Sequence, residues 1–462
     1  MLQPSPLTLP RINRSRVGAV PVRREDEWLA VAVAALLFGF YAVFSVRRHR
    51  LLLTSGYDLG IFEQEVRSYA HGGLPVSDLK GPGFPLLGDH FSPVTATIVP
   101  FYRMFPSPVT LLVAQAFLFA LAAVPIVRFG LRRLGPAAAV VVGLAFGLSW
   151  GVADAVGFDF HEIAFAVPLL SASAVAFAEH RLRAALCWAL PLVLVKEDLG
   201  LTVALIGLLV ARRGARVAGV RTAVFGIAAT ATEMLYLIPH FNPAHRNDYL
   251  PFLHGTPVFH PHFPLGRVIG IATLVALLAP TAFLAVRSTV VLFALPTLLW
   301  RFAAANPAYW VMRFHYNAVL MPILFVAFVD ALHTRPHRRR YLVVGAAVTL
   351  CLLPLHPFGS AAELVRTPSA VAAERRLLDG IPARTTVAAS NWIAPQLTAR
   401  DQVSLFTPDT LGSVRPRYIV VDLARSFPLS VQRQRDLAER ALRDGYQRVG
   451  AAGDVVLLER SP

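Results

Sequence analysis

Repeated apolar runs long enough to cross a bilayer constrain this chain more than any other feature. The first covers Trp28 to Val46. Others follow at roughly 109–127, 137–153, 163–179, 184–195, 199–210, 222–238, 267–286, 289–304, 318–332 and 341–355, about eleven candidate spans. In hydrocarbon the backbone donors and acceptors have to be satisfied internally, so the expected fold is mainly α, a polytopic transmembrane helical bundle. Composition agrees: 55% of residues are hydrophobic and 16% charged, where soluble domains sit near a quarter charged. The first run is too long for a cleavable signal core and has no evident cleavage site, so it reads as a retained anchor.

The net charge of +16 invites a nucleic-acid partner. That class is excluded because the arginines cluster in short loops between apolar runs, where the positive-inside rule puts them. RFGLRR (128–133), HRLR (180–183), ARRGARVAGVR (211–221) and TRPHRRR (334–340) all fall on one side if the N-terminus is cytoplasmic. RRHR (47–50) breaks the rule locally, but reversal would misplace four stronger clusters. An arginine- and alanine-rich chain suggests a bacterial plasma membrane. Cys187 and Cys351 lie in apolar runs and are expected to be small buried hydrophobes.

Three regions follow. Residues 1–26 are expected to form a cytoplasmic disordered tail. Residues 27–356 form a transmembrane domain with an outer loop at 47–108. Residues 361–462 form a small extracytoplasmic α/β domain, with strands expected at 385–390, 402–406, 418–423 and 454–459 and a helix before the last. That domain carries no catalytic motif, and a structural or lid role is expected of it.

The polar motifs all fall on the non-cytoplasmic side of this topology. SGYDLGIFEQEVRSYAHG (55–72) offers Asp58 and Glu63, with Asp58 placed to cap an amphipathic helix on the membrane surface. LLGDHFSP (86–93) brings Asp89 and His90 back to the membrane, a pair able to supply phosphate or metal ligands. In GFDFHE (157–162), Asp159, His161 and Glu162 begin a helix, where acids complement the N-terminal dipole; three ionisable groups there exceed that need. Lys196-Glu197-Asp198 splits an apolar stretch into pieces of about twelve residues, short for full crossings. The cost of mid-bilayer charge favours a hairpin of two short helices over one helix. In it Lys196, one of only two lysines, binds phosphate, Glu197 neutralises it and Asp198 caps the next helix. IPHFNPAHRNDY (238–249) adds His240 and Asn242, and NPAYWVMRFHYN (306–317) adds Arg313 and His315. Tyr309 and Trp310 read as interfacial anchors, and His254, His260 and His262 as solvated. Arg313 invites an anionic head group.

Together YDLGIFEQ, GDHFSP with the following PFYRMFPSPVTLLVAQA, FDFHEIAFAVPLL, LVKEDLGL and IPHFNP resemble the bacterial membrane-protein family of domain of unknown function 2079, over about residues 50–330. That architecture is loosely similar to the GT-C class of membrane glycosyltransferases. The resemblance implies Asp58 as the first-loop acid that deprotonates an acceptor hydroxyl. It also implies Asp89 and His90 as ligands of donor phosphate or a divalent cation; no other cofactor is called for. The chain departs from the commoner acid-acid pair, since Leu59 follows Asp58 and the next acid is Glu63. The expected partners are the bilayer and a polyprenyl-phosphate-linked sugar. The rivals are a transporter or flippase of lipid-linked or anionic solutes, which needs charges along a path through the bilayer, and a non-catalytic envelope scaffold, in which the Asp58 cluster tolerates alanine.

Overall fold

The computed structural model describes residues 26–250 and 264–461. The basic tail before them and the loop bearing His254, His260 and His262 lie outside the described residues.

The first helix, Trp28–Arg50, shows why the apolar runs fold as they do. Ala30, Val33, Leu37, Tyr41 and Phe44 recur every three to four residues and are buried against the helix Pro108–Leu134. Its other face exposes Trp28, Val31, Leu36 and Val43, large apolar side chains suited to lipid rather than water. Among the described residues four helices are long and apolar enough to cross a membrane: Trp28–Arg50, Pro108–Leu134, Arg216–Phe241 and His315–Leu332. Two bent pairs raise this to six, Pro136–Gly147 with Trp150–Gly157 and Arg338–Leu355 with Pro357–Val365. The remaining apolar runs form shorter helices of 10–17 residues, so runs counted in the sequence are not all single straight crossings. Leu199–Arg212 and Arg216–Thr232 pack through glycine. A Cβ on Gly207 would lie 2.6 Å from the carbonyl oxygen of Gly219, which only a bare backbone allows. The cysteines depart from expectation: Cys187 and Cys351 are exposed, on outward faces of their apolar helices.

The apolar stretch around Lys196 is broken, as the cost of its charges requires. Helix Leu182–Ala189 runs through a 3-10 turn to Leu194, the chain turns over residues 195–198, and helix Leu199–Arg212 packs back on Leu182–Ala189.

Between the first two long helices the chain forms the turn Gly56–Gly60, the helix Ile61–Ala70, a minimal hairpin of β1 (Val76–Ser77) and β2 (Phe84–Pro85), and short 3-10 segments. The helix is not a membrane-surface helix. Ile61 through Val66 are all buried, Glu63, Gln64 and Glu65 included. Gln64 Nε2 donates to the Val403 carbonyl at 2.8 Å, and Arg67 donates to the Asp401 carbonyl at 3.0 Å. The C-terminal segment therefore covers this helix.

That segment contains β3 (Thr386–Ala389), β4 (Gln402–Leu405), β5 (Tyr418–Asp422), helix Val431–Arg443, β6 (Tyr446–Ala452) and β7 (Val455–Arg460). The strand order is β4-β3-β5-β7-β6, with β3 parallel to β4 and β5, and β7 antiparallel to both neighbours. Side chains alternate between two cores, Val387, Ala389 and Val420 on one and Ala388, Ile419 and Val421 on the other. Strand β6 was not expected. It is an edge strand, YQRVGAA, mostly exposed and without the apolar alternation that marks a strand.

Candidate functional site

The motifs converge where three chain breaks meet: the Gly56–Gly60 turn, the 157–162 corner and the 195–198 turn. Asp58 does not cap the following helix. It sits in the turn at φ 84° and ψ −83°, a conformation costly for a residue with a Cβ, and no side chain caps either adjoining helix start. Its carboxyl Oδ1 lies 4.0 Å from His161 Nε2. Asp159, also at positive φ, accepts the Ser55 N–H at 2.6 Å and ties the two corners together. Gln115 fastens this corner, donating to the Asp159 carbonyl and accepting the His161 N–H at 3.0 Å.

Glu162 opens its helix, in the first turn as expected, and it is also the hub of the site. Its side chain is fully buried, with Oε1 2.7 Å from Lys196 Nζ and Oε2 2.5 Å from His161 Nδ1. His161 stacks on His315 with ring centroids 3.4 Å apart. Lys196 is thus neutralised by Glu162. Glu197 turns instead to His90, 2.8 Å away, and to the Phe91 N–H. Asp198 caps nothing and accepts the indole N–H of Trp300 at 2.7 Å. A second ion pair adjoins: Lys80 Nζ lies 2.8 Å from Asp89 Oδ2, whose Oδ1 accepts the Tyr249 hydroxyl at 2.9 Å. Tyr249 also stacks on His90. Asn242 supports this corner by donating to the Gly88 carbonyl at 2.9 Å.

Asp58, Asp89, His90, Asp159, His161, Glu162, Lys196, Glu197, Asp198 and His315 are therefore brought together. Others are not. Glu63 is buried on the far side of its helix, against Tyr102. His240 is exposed and stacks on Tyr236. Arg313 is exposed and acts electrostatically on Asp154. Trp310 is buried, its indole N–H donating to the Ala304 carbonyl, and is no interfacial anchor. Asp89 and His90 point to different partners. Among the described residues no group of three or more His, Cys, Asp or Glu side chains has the arrangement of a metal site.

Sequence reasoning missed Arg301. It lies inside an apolar run, fully buried, and lines a small cleft with Lys196, Asp198, Trp300, His315 and Tyr316. Its Nε and one terminal nitrogen bond the Tyr309 and Tyr316 carbonyls and Asn317, while the other terminal nitrogen has no hydrogen-bond partner. A lone arginine in a candidate span was the signal available. RRHR, the local breach of the positive-inside rule, also has an explanation. Arg48 donates to the Leu53 carbonyl and offsets Asp159, and Arg47 donates to the Leu364 carbonyl, so both are internal fixtures.

The electrostatics follow from burial. Asp58 is pushed well above the usual carboxylate range by burial, with Asp159 and Glu162 adding to it and Lys196 and Lys80 opposing. Burial lifts Asp159 to about 7 despite Arg48. Burial and Glu197 lift Asp198 to about 6. For Asp89, burial acts upward but is outweighed by His90, Lys80 and the Tyr249 bond, which hold it low. His161 is lowered by burial, so it favours the neutral ring. Asp58 keeps 23% of its side chain exposed while Glu162 has none, which makes Asp58 the accessible acid of the central group. A mostly buried but accessible carboxyl of raised basicity near a buried lysine is suited to taking a proton near an anionic group.

The chain matches the predicted membrane protein family DUF2079 over residues 48–457. It belongs to that family. The match extends past the motifs of residues 50–330 and takes in most of the sheet, ending within β7. No curated protein matches the chain. Among solved structures it is similar to ArnT from Cupriavidus metallidurans bound to undecaprenyl phosphate, with TM-score 0.56 and 16% identity, over 94% of this chain and 99% of that one. The apo state of the same protein gives TM-score 0.56 and 14% identity, over 94% and 98%. At such identities the likeness is one of fold.

Proposed function

We propose that this DUF2079 protein is a GT-C-like glycosyltransferase of the bacterial plasma membrane, with its N-terminus cytoplasmic and its site and C-terminal unit outside. It moves a sugar from a polyprenyl-phosphate donor to an envelope acceptor. The observation that carries this reading is Asp58: an accessible carboxyl in the first loop, held in a costly conformation beside His161 and the Glu162–Lys196 pair. The shared fold with a protein solved bound to undecaprenyl phosphate supports the substrate class.

In this reading Asp58 takes the proton of the acceptor hydroxyl as that oxygen bonds to the sugar carbon. The bond from that carbon to the donor phosphate breaks, and the phosphate leaves with the electron pair. Lys196 faces the leaving charge, with Arg301 beside it in the cleft. Arg313, exposed near Asp154, is less well placed for that role. Lys80, Asp89, His90 and Tyr249 form a second polar cluster, joined to the Lys196 turn by the His90–Glu197 contact. Both Asp89 oxygens are engaged within the protein, so the reading assigns no metal-bound step.

The test is a deletion strain complemented with wild type or Asp58→Asn, followed by analysis of envelope glycans. The expected result is one glycan modification lost in the deletion, restored by wild type and not by Asp58→Asn. Unchanged glycans in deletion and variant alike reject the enzyme reading. Lipid transport in liposomes that needs no acceptor favours a flippase.

A further inference from the structure

The C-terminal unit packs on the Asp58 turn, with the Tyr57 ring edge-on to Phe427 and a pair of backbone N–H groups bonded to one residue. Where β3 ends, the chain makes a tight turn held by Ser390, whose N–H bonds the Val420 carbonyl and whose own carbonyl accepts from Ile393 and Ala394. This turn presents Asn391. The Asn391 carbonyl accepts the Gly56 N–H at 2.6 Å, and its side-chain Oδ1 accepts the Tyr57 N–H at 2.8 Å. With Ser55 N–H bound to Asp159, three successive donors leading into Asp58 are taken, two of them by one residue.

The approach is tight at Gly56. A Cβ on Gly56 would lie 3.0 Å from the Ala394 Cβ and 3.2 Å from the Asn391 carbonyl oxygen. Asn391 is buried, and with Oδ1 fixed by the Tyr57 N–H its amide nitrogen has no hydrogen-bond partner. Further bonds lash the two parts together: Arg425 donates to the Leu52 carbonyl and Gln396 to the His49 carbonyl. A non-glycine residue at φ 84° persists only where its surroundings over-determine it. Here two of the three hydrogen bonds leading into it come from a residue about 330 positions further along the chain.

We propose that the C-terminal unit is the device that holds Asp58 in its working conformation, with Asn391 as the positioning residue. This rests on the reading of Asp58 as the base. Asn391 acts on the reaction through the turn.

The experiment uses the full chain in lipid nanodiscs and follows hydrogen–deuterium exchange across residues 52–60. Asn391→Ala removes the Tyr57 acceptor, and exchange there is expected to rise about tenfold, the equivalent of one buried hydrogen bond. Asn391→Asp keeps an acceptor and retains protection. Gly56→Ala wedges the contact from the other side and loosens the turn in the same way, and adding Ala394→Gly recovers part of the loss. In the complementation assay Asn391→Ala is expected to lower the Asp58-dependent product at least about tenfold at unchanged protein abundance. Unchanged exchange in both Asn391→Ala and Gly56→Ala overturns the proposal. So does loosened exchange with full product while Asp58→Asn abolishes it. If Asp58→Asn itself leaves glycans unaltered, the glycosyltransferase reading fails, and the proposal, which holds Asp58 for that chemistry, falls with it even if exchange is loosened.

Discussion

Removing Lys196 tests the electrostatic architecture at its centre. Glu162 has no solvent exposure, and Lys196 Nζ sits 2.7 Å from one of its oxygens. Breaking a buried pair by deleting one partner typically costs about 3–5 kcal/mol, because the other charge stays buried without compensation. Two features place Lys196→Met near the lower end, about 3 kcal/mol. The lysine is 11% exposed, and His161 lies 2.5 Å from the second Glu162 oxygen, where protonation partly replaces the lost charge. Glu162→Gln leaves the lysine with Glu197 and Asp198 nearby and is expected to cost about 2 kcal/mol. The double variant loses both charges together, so its cost is less than the sum, with a coupling of about 2 kcal/mol. Unfolding free energies of the four proteins in bicelles at neutral pH close the cycle. A coupling below about 0.5 kcal/mol would refute the claim that Glu162 and Lys196 act as a unit.

Glu65 is buried, and burial pushes its carboxyl up to about 8. A carboxyl raised above its ordinary value stabilises the fold fully at low pH, and that contribution is lost as pH climbs from about 4.5 through 8. Wild type is thus expected to lose stability relative to Glu65→Gln over that window, by at most about 4–5 kcal/mol, and parallel curves would contradict this. Trp300→Phe takes the indole donor from Asp198, whose other oxygen already lacks a partner, and should cost about 1–3 kcal/mol in thermal or denaturant unfolding. Gly207→Ala should cost about 1–3 kcal/mol by forcing two helices apart, whereas Gly39→Ala, with open space at its Cβ, should be neutral or mildly stabilising.

Much of the site was legible because ionisable residues at the ends of apolar runs are hard to explain otherwise. Asp58, His161, Glu162 and Lys196 stand out in this way, and the structure gathers them. Their pairing was not legible. Local spacing suggests that Glu197 neutralises Lys196 and that Asp58 and Asp198 cap helices. Packing instead brings Glu162 across from another corner and frees Asp58 to face His161. The helix Ile61–Ala70 looked amphipathic enough for a membrane surface, but its polar Gln64 and Arg67 are met by carbonyls of the C-terminal unit. Arg301 was hidden in an apolar run, and Asn391 in a segment with no motif. Contacts of such long sequence separation leave no local periodicity to read.

Consumption of a lipid-linked sugar by the Asp58 group is tested most directly by mass spectrometry of the polyprenyl-phosphate pool in the deletion strain carrying wild type or Asp58→Asn. Sugar-loaded carrier is expected to accumulate with Asp58→Asn and to be depleted with wild type. Equal carrier pools in the two strains, with the variant present at normal abundance, would contradict this.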